Sequence, residues 1–176
     1  MDARESIVGF RAFRKDLTRV PQAVRMPPFT ANHPDFEKRV RDSFARQAFM
    51  STLGATLTRV EPGAVEIRMG VRPDLTQQHG FLHAAAVAAI GDSACGYAAL
   101  SLMPSDTGVL AVEYKINLMM PATGEVVIAR GRVIRSGRTL SVCQADIVAV
   151  TAGTERAVAL LVSTVMAVRD RPGIVD

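Results

Sequence analysis

The stretch QQHGFLHAAAVAAIGD, from Gln77 to Asp92, places one carboxylate behind a run of small apolar residues, with two amides and two histidines ahead of it. A carboxylate can take a proton from water as a general base, or attack an electrophilic carbon directly as a nucleophile. An acid inside an apolar segment is costly unless it has partners or a shifted protonation state, so Asp92 is the first candidate for chemistry. The alternatives for it are a water-filled groove or a structural ion pair with an arginine of a neighbouring strand.

Other reactive residue types give weaker signals. His79 and His83 stand four apart, but Gly80 interrupts any helix between them and no third ligand lies at a suitable spacing, so no metal and no other cofactor is expected. Ser93 and Ser141 lack the Gly-x-Ser-x-Gly context of a nucleophile elbow. Cys95 and Cys143 lie in apolar segments and read as reduced core thiols, which suits a cytoplasmic protein. The run Arg135-Ser136-Gly137-Arg138 offers two guanidinium groups and a backbone able to approach phosphate; a solvated hairpin tip is the alternative.

These residues need a scaffold, and composition limits it. The chain has 176 residues, 48% of them hydrophobic and 22% charged, which suits one packed domain. Its net charge of +4 is spread along the sequence. Without a cluster of basic and aromatic residues, nucleic-acid binding is not expected. Residues 83 to 103 are apolar for long enough to suggest a membrane span, yet Asp92 near the middle would cost about 2.5 to 3.5 kcal/mol there, so no membrane partner is expected. The opening MDARESIVGFRAFRKDL mixes acids with arginines and has no long apolar core, unlike a secretory signal.

Residues 1 to 30 carry prolines at 21, 27 and 28 with little periodicity and read as an extension or arm. A single domain spans 31 to 170, and 171 to 176 form a tail. Phe36, Val40 and Phe44 recur every four residues, predicting an amphipathic helix that ends near Phe49. Two strands flank Glu61-Pro62-Gly63. An alanine-rich helix of about 30 Å follows from His83 to Met103, and then a meander of four long strands separated by turns at 121 to 124, 136 to 138 and 153 to 155. The last strand is apolar on both faces, so one face takes the helix and the other suggests a partner subunit. The small residues of the helix allow a sheet to wrap it closely.

The free backbone N–H groups and positive dipole at the start of this helix would suit a developing oxyanion, as thioester hydrolysis requires. Asp92 lies about 13 Å further along the same helix by its rise per residue. A dimer with the two helices side by side and antiparallel would bring the halves together.

The segments QQHGFLHAAAVAAIGDSACGYAALSLM, EYKINLMMPATGE and RVIRSGRTLSVCQADI, taken in order, resemble the PaaI-type acyl-CoA thioesterases of the hotdog-fold superfamily over roughly residues 36 to 168. The resemblance implies an α+β hotdog fold: a long central helix wrapped by a curved antiparallel sheet in the order strand, strand, helix, four strands, here with an N-terminal helix. It implies hydrolysis of acyl-CoA to free acid and coenzyme A by a homodimer or homotetramer. Asp92 would be general base or nucleophile, supplied by the opposite subunit, and the Ala84 N–H would polarise the carbonyl. Gln77 would hold substrate or the lytic water, and His83 would brace the helix start. Phe81 and Leu82 would wall the acyl site, and Arg135, Gly137 and Arg138 would lie near the coenzyme. The family's glycine pair at the helix start is Ala84-Ala85 here, and Ala111 stands where some relatives carry a hydroxyl. A non-catalytic acyl-CoA sensor and a hotdog dehydratase or hydratase are the competing readings.

Overall fold

Phe36, Val40 and Phe44 turn inward from α1, Phe36–Arg46, in a computed structural model that describes residues 29–169, 171, 173 and 174. The proposed N-terminal extension falls almost wholly outside the described residues. On the outer face of α1, Glu37 pairs with Arg41 at 2.8 Å and Lys38 with Asp42 at 2.5 Å, both four residues apart. The expected single helix is in fact two. Gln47 is extended, with ψ 93°, and a second short helix, α2, runs Ala48–Leu53 to a left-handed Gly54. Periodicity continues across this break, so the sequence pattern conceals it.

The hairpin of β1, Ala55–Glu61, and β2, Ala64–Gly70, follows, with Val65, Ile67 and Met69 buried on one face of β2. Helix α3, Ala84–Leu100, is capped by His83 and contacts all six strands of the sheet. The remaining strands are β3, Gly108–Leu118, β4, Val126–Ser136, β5, Leu140–Thr151, and β6, Thr154–Val168. All pairings are antiparallel, in the order β1-β2-β4-β5-β6-β3. This is the strand, strand, helix, four-strand order of the hotdog fold.

Only β4, β5 and β6 form a meander. β3 lies at the far edge beside β6, and β4 inserts next to β2. The connection between β3 and β4 therefore crosses from one part of the sheet to the other. Pro121 cannot donate to a ladder, and the Ala122 carbonyl accepts from the Leu82 N–H at 3.1 Å, tying the crossing chain to the start of α3. Strand periodicity shows which residues share a face, but not which strands are neighbours.

The helix sits very close to the sheet because both surfaces are small. A Cβ on Gly131 of β4 would lie 2.8 Å from the Cys95 backbone nitrogen and closer still to the backbone of Ala94. Ala94, Cys95 and Ala98 are fully buried there. Among the described residues, no helix is long and apolar enough to cross a membrane.

Candidate active site

Asp92, Ser93, Gly96 and Tyr97 share one side of α3 because positions three and four apart lie one above another on a helix. Together with Ser43, Arg46, Gln47, Val109, Leu110, Ala111 and Gly173 they line a cavity of about 470 Å³. Gly96, one turn beyond Asp92, has nothing within 4 Å of where a Cβ would stand, so the space beside the carboxylate stays open. Tyr97 packs edge-on against Phe44, with ring centroids 5.7 Å apart, which holds α1 over this part of α3.

One carboxylate oxygen of Asp92, Oδ1, is buried and has no hydrogen-bond partner among the described residues. Burial pushes the Asp92 pKa above the usual carboxylate range; the nearby Ser163 hydroxyl, on β6, opposes the shift. Ser163 is itself fully buried, and its hydroxyl donates to the Glu113 carbonyl at 3.1 Å. Among the described residues Asp92 makes no salt bridge, which removes the structural ion-pair alternative. An underbonded carboxylate beside open space can accept a proton from water or attack a carbon brought to it.

The start of α3 opens onto a second cavity, of about 310 Å³, lined by Gln77, Phe81, Leu82, Ala84, Val87 and Leu118 together with residues 119–122 and Val158. The His83 Nδ1 accepts from the Ala85 N–H at 3.0 Å, which places the ring proton on Nε2 when the ring is neutral. The Ala86 N–H is taken by the His83 carbonyl. Ala84 alone in this first turn has an N–H with no acceptor among the described residues, and it lines the cavity. The loop before it is a tight turn: the Gln77 N–H donates to the Phe81 carbonyl at 2.8 Å, Gly80 has φ 79°, and the Gln77 Oε1 accepts from the His79 N–H. That contact leaves the Gln77 amide NH₂ as the end able to meet a ligand.

The sequence candidates therefore fall into separate groups. Gln77, Phe81, Leu82 and Ala84 gather at one end of α3, with His83 as its cap; Asp92, Ser93 and Ala111 gather about 12 Å away along the helix. Among the described residues none lines both cavities. Arg135, Gly137 and Arg138 stand at the exposed tip of the β4–β5 hairpin and line neither cavity. Ser141 is buried away from both, and His79 is exposed. No group of three or more His, Cys, Asp or Glu residues that could hold a metal occurs among the described residues. Burial pushes the Cys143 thiol up to about 12 and Cys95 still higher, which suits unreactive core thiols.

Among the residues of the Asp92 region, Ser43, Arg46, Gln47, Tyr97 and Ser163 escaped the sequence reading. Tyr97 had a signal, since it lies five residues from Asp92 and four from Ser93 on the same side of the helix. Gln47 had none, because only the helix break aims it inward.

This fold has clear relatives. The model of the thioesterase superfamily matches residues 79–155. A solved thioesterase family protein from Silicibacter pomeroyi is 50% identical, covers 76% of this chain and 98% of its own, and superposes with a TM-score of 0.75. The chain belongs to the thioesterase superfamily and is by class a thioester hydrolase. The PaaI protein of the Escherichia coli phenylacetic acid degradation operon shares the fold at 18% identity, with 76% and 94% coverage and a TM-score of 0.68. Two solved variants of one Staphylococcus aureus thioesterase, with a glutamate and a glutamine respectively changed to alanine, are 25% and 24% identical. They cover 68% and 69% of this chain and 98% of their own, with TM-scores of 0.63 and 0.65. No curated protein matches the sequence at a significant level.

Proposed function

We propose that this protein is a PaaI-type acyl-CoA thioesterase in which Asp92 activates water or attacks the thioester carbonyl. The observation that carries the reading is the buried, unpartnered Oδ1 of Asp92 beside an open cavity. As general base, the carboxylate takes a proton from water while the hydroxide adds to the carbonyl carbon. The oxyanion forms against the Ala84 N–H; the C–S bond then breaks, and the proton returns from Asp92 to the departing thiolate. The products are the free acid and coenzyme A. As nucleophile, Asp92 would instead form a mixed anhydride that water cleaves.

The Ala84 N–H and Asp92 of one chain are too far apart to act on one carbonyl, so the working site joins the two halves from two copies. Two features support this. The exposed side of α3 carries Ala85 and, one turn on, the half-buried Ala89, small enough for a second helix to approach. The edge strand β3 is eleven residues long and exposes Leu110, Val112, Tyr114 and Leu118; such an edge invites pairing with another copy. The assembly is a homodimer, or two dimers as a homotetramer, working in the cytoplasm.

Gln77 offers its amide NH₂ to the substrate or the lytic water, and His83 fixes the first turn by capping it. In the Staphylococcus aureus protein the glutamine and the glutamate that were changed stand fifteen positions apart, the separation of Gln77 and Asp92 here. Phe81 and Leu82 wall the passage beside Gln77. Arg135 and Arg138 make no ion pair among the described residues, and with the Gly137 backbone between them they offer a phosphate contact for coenzyme A.

The test is thiol release from acetyl-, medium-chain, long-chain and aryl-CoA, with Asp92→Ala in parallel. Release that falls at least about 100-fold in the variant supports the reading. Equal release from both proteins contradicts the role of Asp92, and tight binding without release contradicts catalysis.

A further inference from the structure

The wall facing Asp92 is unusually polar for a pocket that receives an acyl chain. Ser43, Ser93 and Tyr97 are buried in it at 5%, 8% and 6% exposure. Gln47 turns into it at the break between α1 and α2, where its Oε1 accepts from the Ser93 hydroxyl at 3.4 Å and the Tyr97 hydroxyl at 3.5 Å. With the oxygen so occupied, the Gln47 NH₂ is left as a donor with no acceptor among the described residues. Arg46 stands beside it at the rim. Its neighbours on α1 are engaged, Arg41 with Glu37 and Arg39 with the Met103, Pro104 and Thr107 carbonyls. The Arg46 guanidinium makes no hydrogen bond or ion pair among the described residues, although it lines this cavity.

Among the described residues lining this cavity, the side-chain donors left without a partner are those of Gln47 and Arg46, and Asp92 is the one acid. A plain alkyl chain entering it would cover the Gln47 N–H groups without replacing the water they lose, which costs binding energy. A chain ending in a carboxylate would instead supply the missing acceptor to Gln47 and a charge-assisted partner to Arg46. Resting on the thioesterase reading above, we propose that Arg46 and Gln47 form a recognition site for the far end of the acyl group, and that the preferred substrates are monothioesters of dicarboxylic acids. The thioester carbonyl lies at Asp92, and the distal carboxylate reaches the rim at Arg46. Gly96, with no side chain between the two, leaves the path open.

The experiment compares kcat/KM for glutaryl-, adipoyl-, 6-hydroxyhexanoyl- and hexanoyl-CoA in the wild type, Arg46→Ala, Gln47→Leu and Tyr97→Phe. The expected wild-type result is a preference of about 10-fold or more for adipoyl-CoA over hexanoyl-CoA. Arg46→Ala, at an exposed position, should lower that ratio about 10-fold, chiefly through KM for the dicarboxylic substrates; Gln47→Leu should lower it as well. Tyr97→Phe removes a single hydroxyl and checks the Gln47 geometry with minimal disturbance of packing; a smaller fall in the ratio is expected. If hexanoyl- or 6-hydroxyhexanoyl-CoA leads the series, or Arg46→Ala leaves the ratio unchanged, the proposal is overturned while the thioesterase reading stands. If the wild type cleaves none of these or any other acyl-CoA, both fall together.

Discussion

Burial gives Asp92 its raised pKa, and the sign of that shift makes a stability prediction. The folded chain binds the Asp92 proton more tightly than the unfolded chain does. Stability from this group is therefore fully present below the ordinary value of 3.8 and is lost as pH rises toward the raised one. Asp92→Asn keeps the neutral shape, so its melting temperature should exceed that of the wild type at pH 7, and the two should converge below about pH 4. Melting curves across that range check the point; a variant less stable than wild type at pH 7 would show that the carboxylate has structural partners. Gly96→Leu makes the opposite separation. A side chain there enters the open cavity, so kcat/KM should fall about 10-fold or more, while the helix gains up to about 1 kcal/mol in propensity and the melting temperature does not drop. Asp92 was legible in the sequence because an acid within an apolar run needs a reason. Ser163 was not. Alternation along β6 shows that it shares a face with Leu161 and Val165, but nothing in that pattern says which turn of α3 lies over it.

At the scale of elements, the closest approach of helix and sheet depends on Gly131. Gly131→Ala would force α3 off β4 at Ala94 and Cys95, at a cost of about 1 to 3 kcal/mol or more, readable as a lower denaturation midpoint. An unchanged midpoint would mean that the helix can shift freely on the sheet. The β5–β6 turn makes the converse case. Ala152 and Gly153 have φ 47° and 75°, as a two-residue hairpin turn requires, and alanine is strained at such an angle. Ala152→Asn should raise stability by up to about 1 kcal/mol, measured by thermal or denaturant unfolding. Elements of this kind were readable from the sequence, since periods of two and near four follow directly from the residues. Their adjacency was not, because β3 pairs with β6 along a ladder between segments far apart in the chain, such as Glu113 with Thr164. The division of the first helix at Gln47 was hidden for a related reason: the apolar spacing runs on across a break made by tertiary contacts.

For the whole molecule, the separation of the two cavities decides the reading. The distance between Asp92 and the start of α3 was already implied by helix geometry; the partition of the candidates into two linings was not. Ala84 is the first residue of α3, where proline fits without loss of helical structure, and His83 already has the extended ψ of 137° that a following proline favours. Ala84→Pro therefore removes the N–H of that turn that has no acceptor among the described residues and leaves the helix intact. The most direct measurement mixes Ala84→Pro with Asp92→Asn, unfolds and refolds them together, and follows thiol release. Each variant alone should be nearly inactive. Together they should recover about a quarter of wild-type activity, because half of random dimers are mixed and each mixed dimer contains one intact site. No recovery from well-folded mixed dimers, or full activity in either variant alone, would contradict a site shared between two chains.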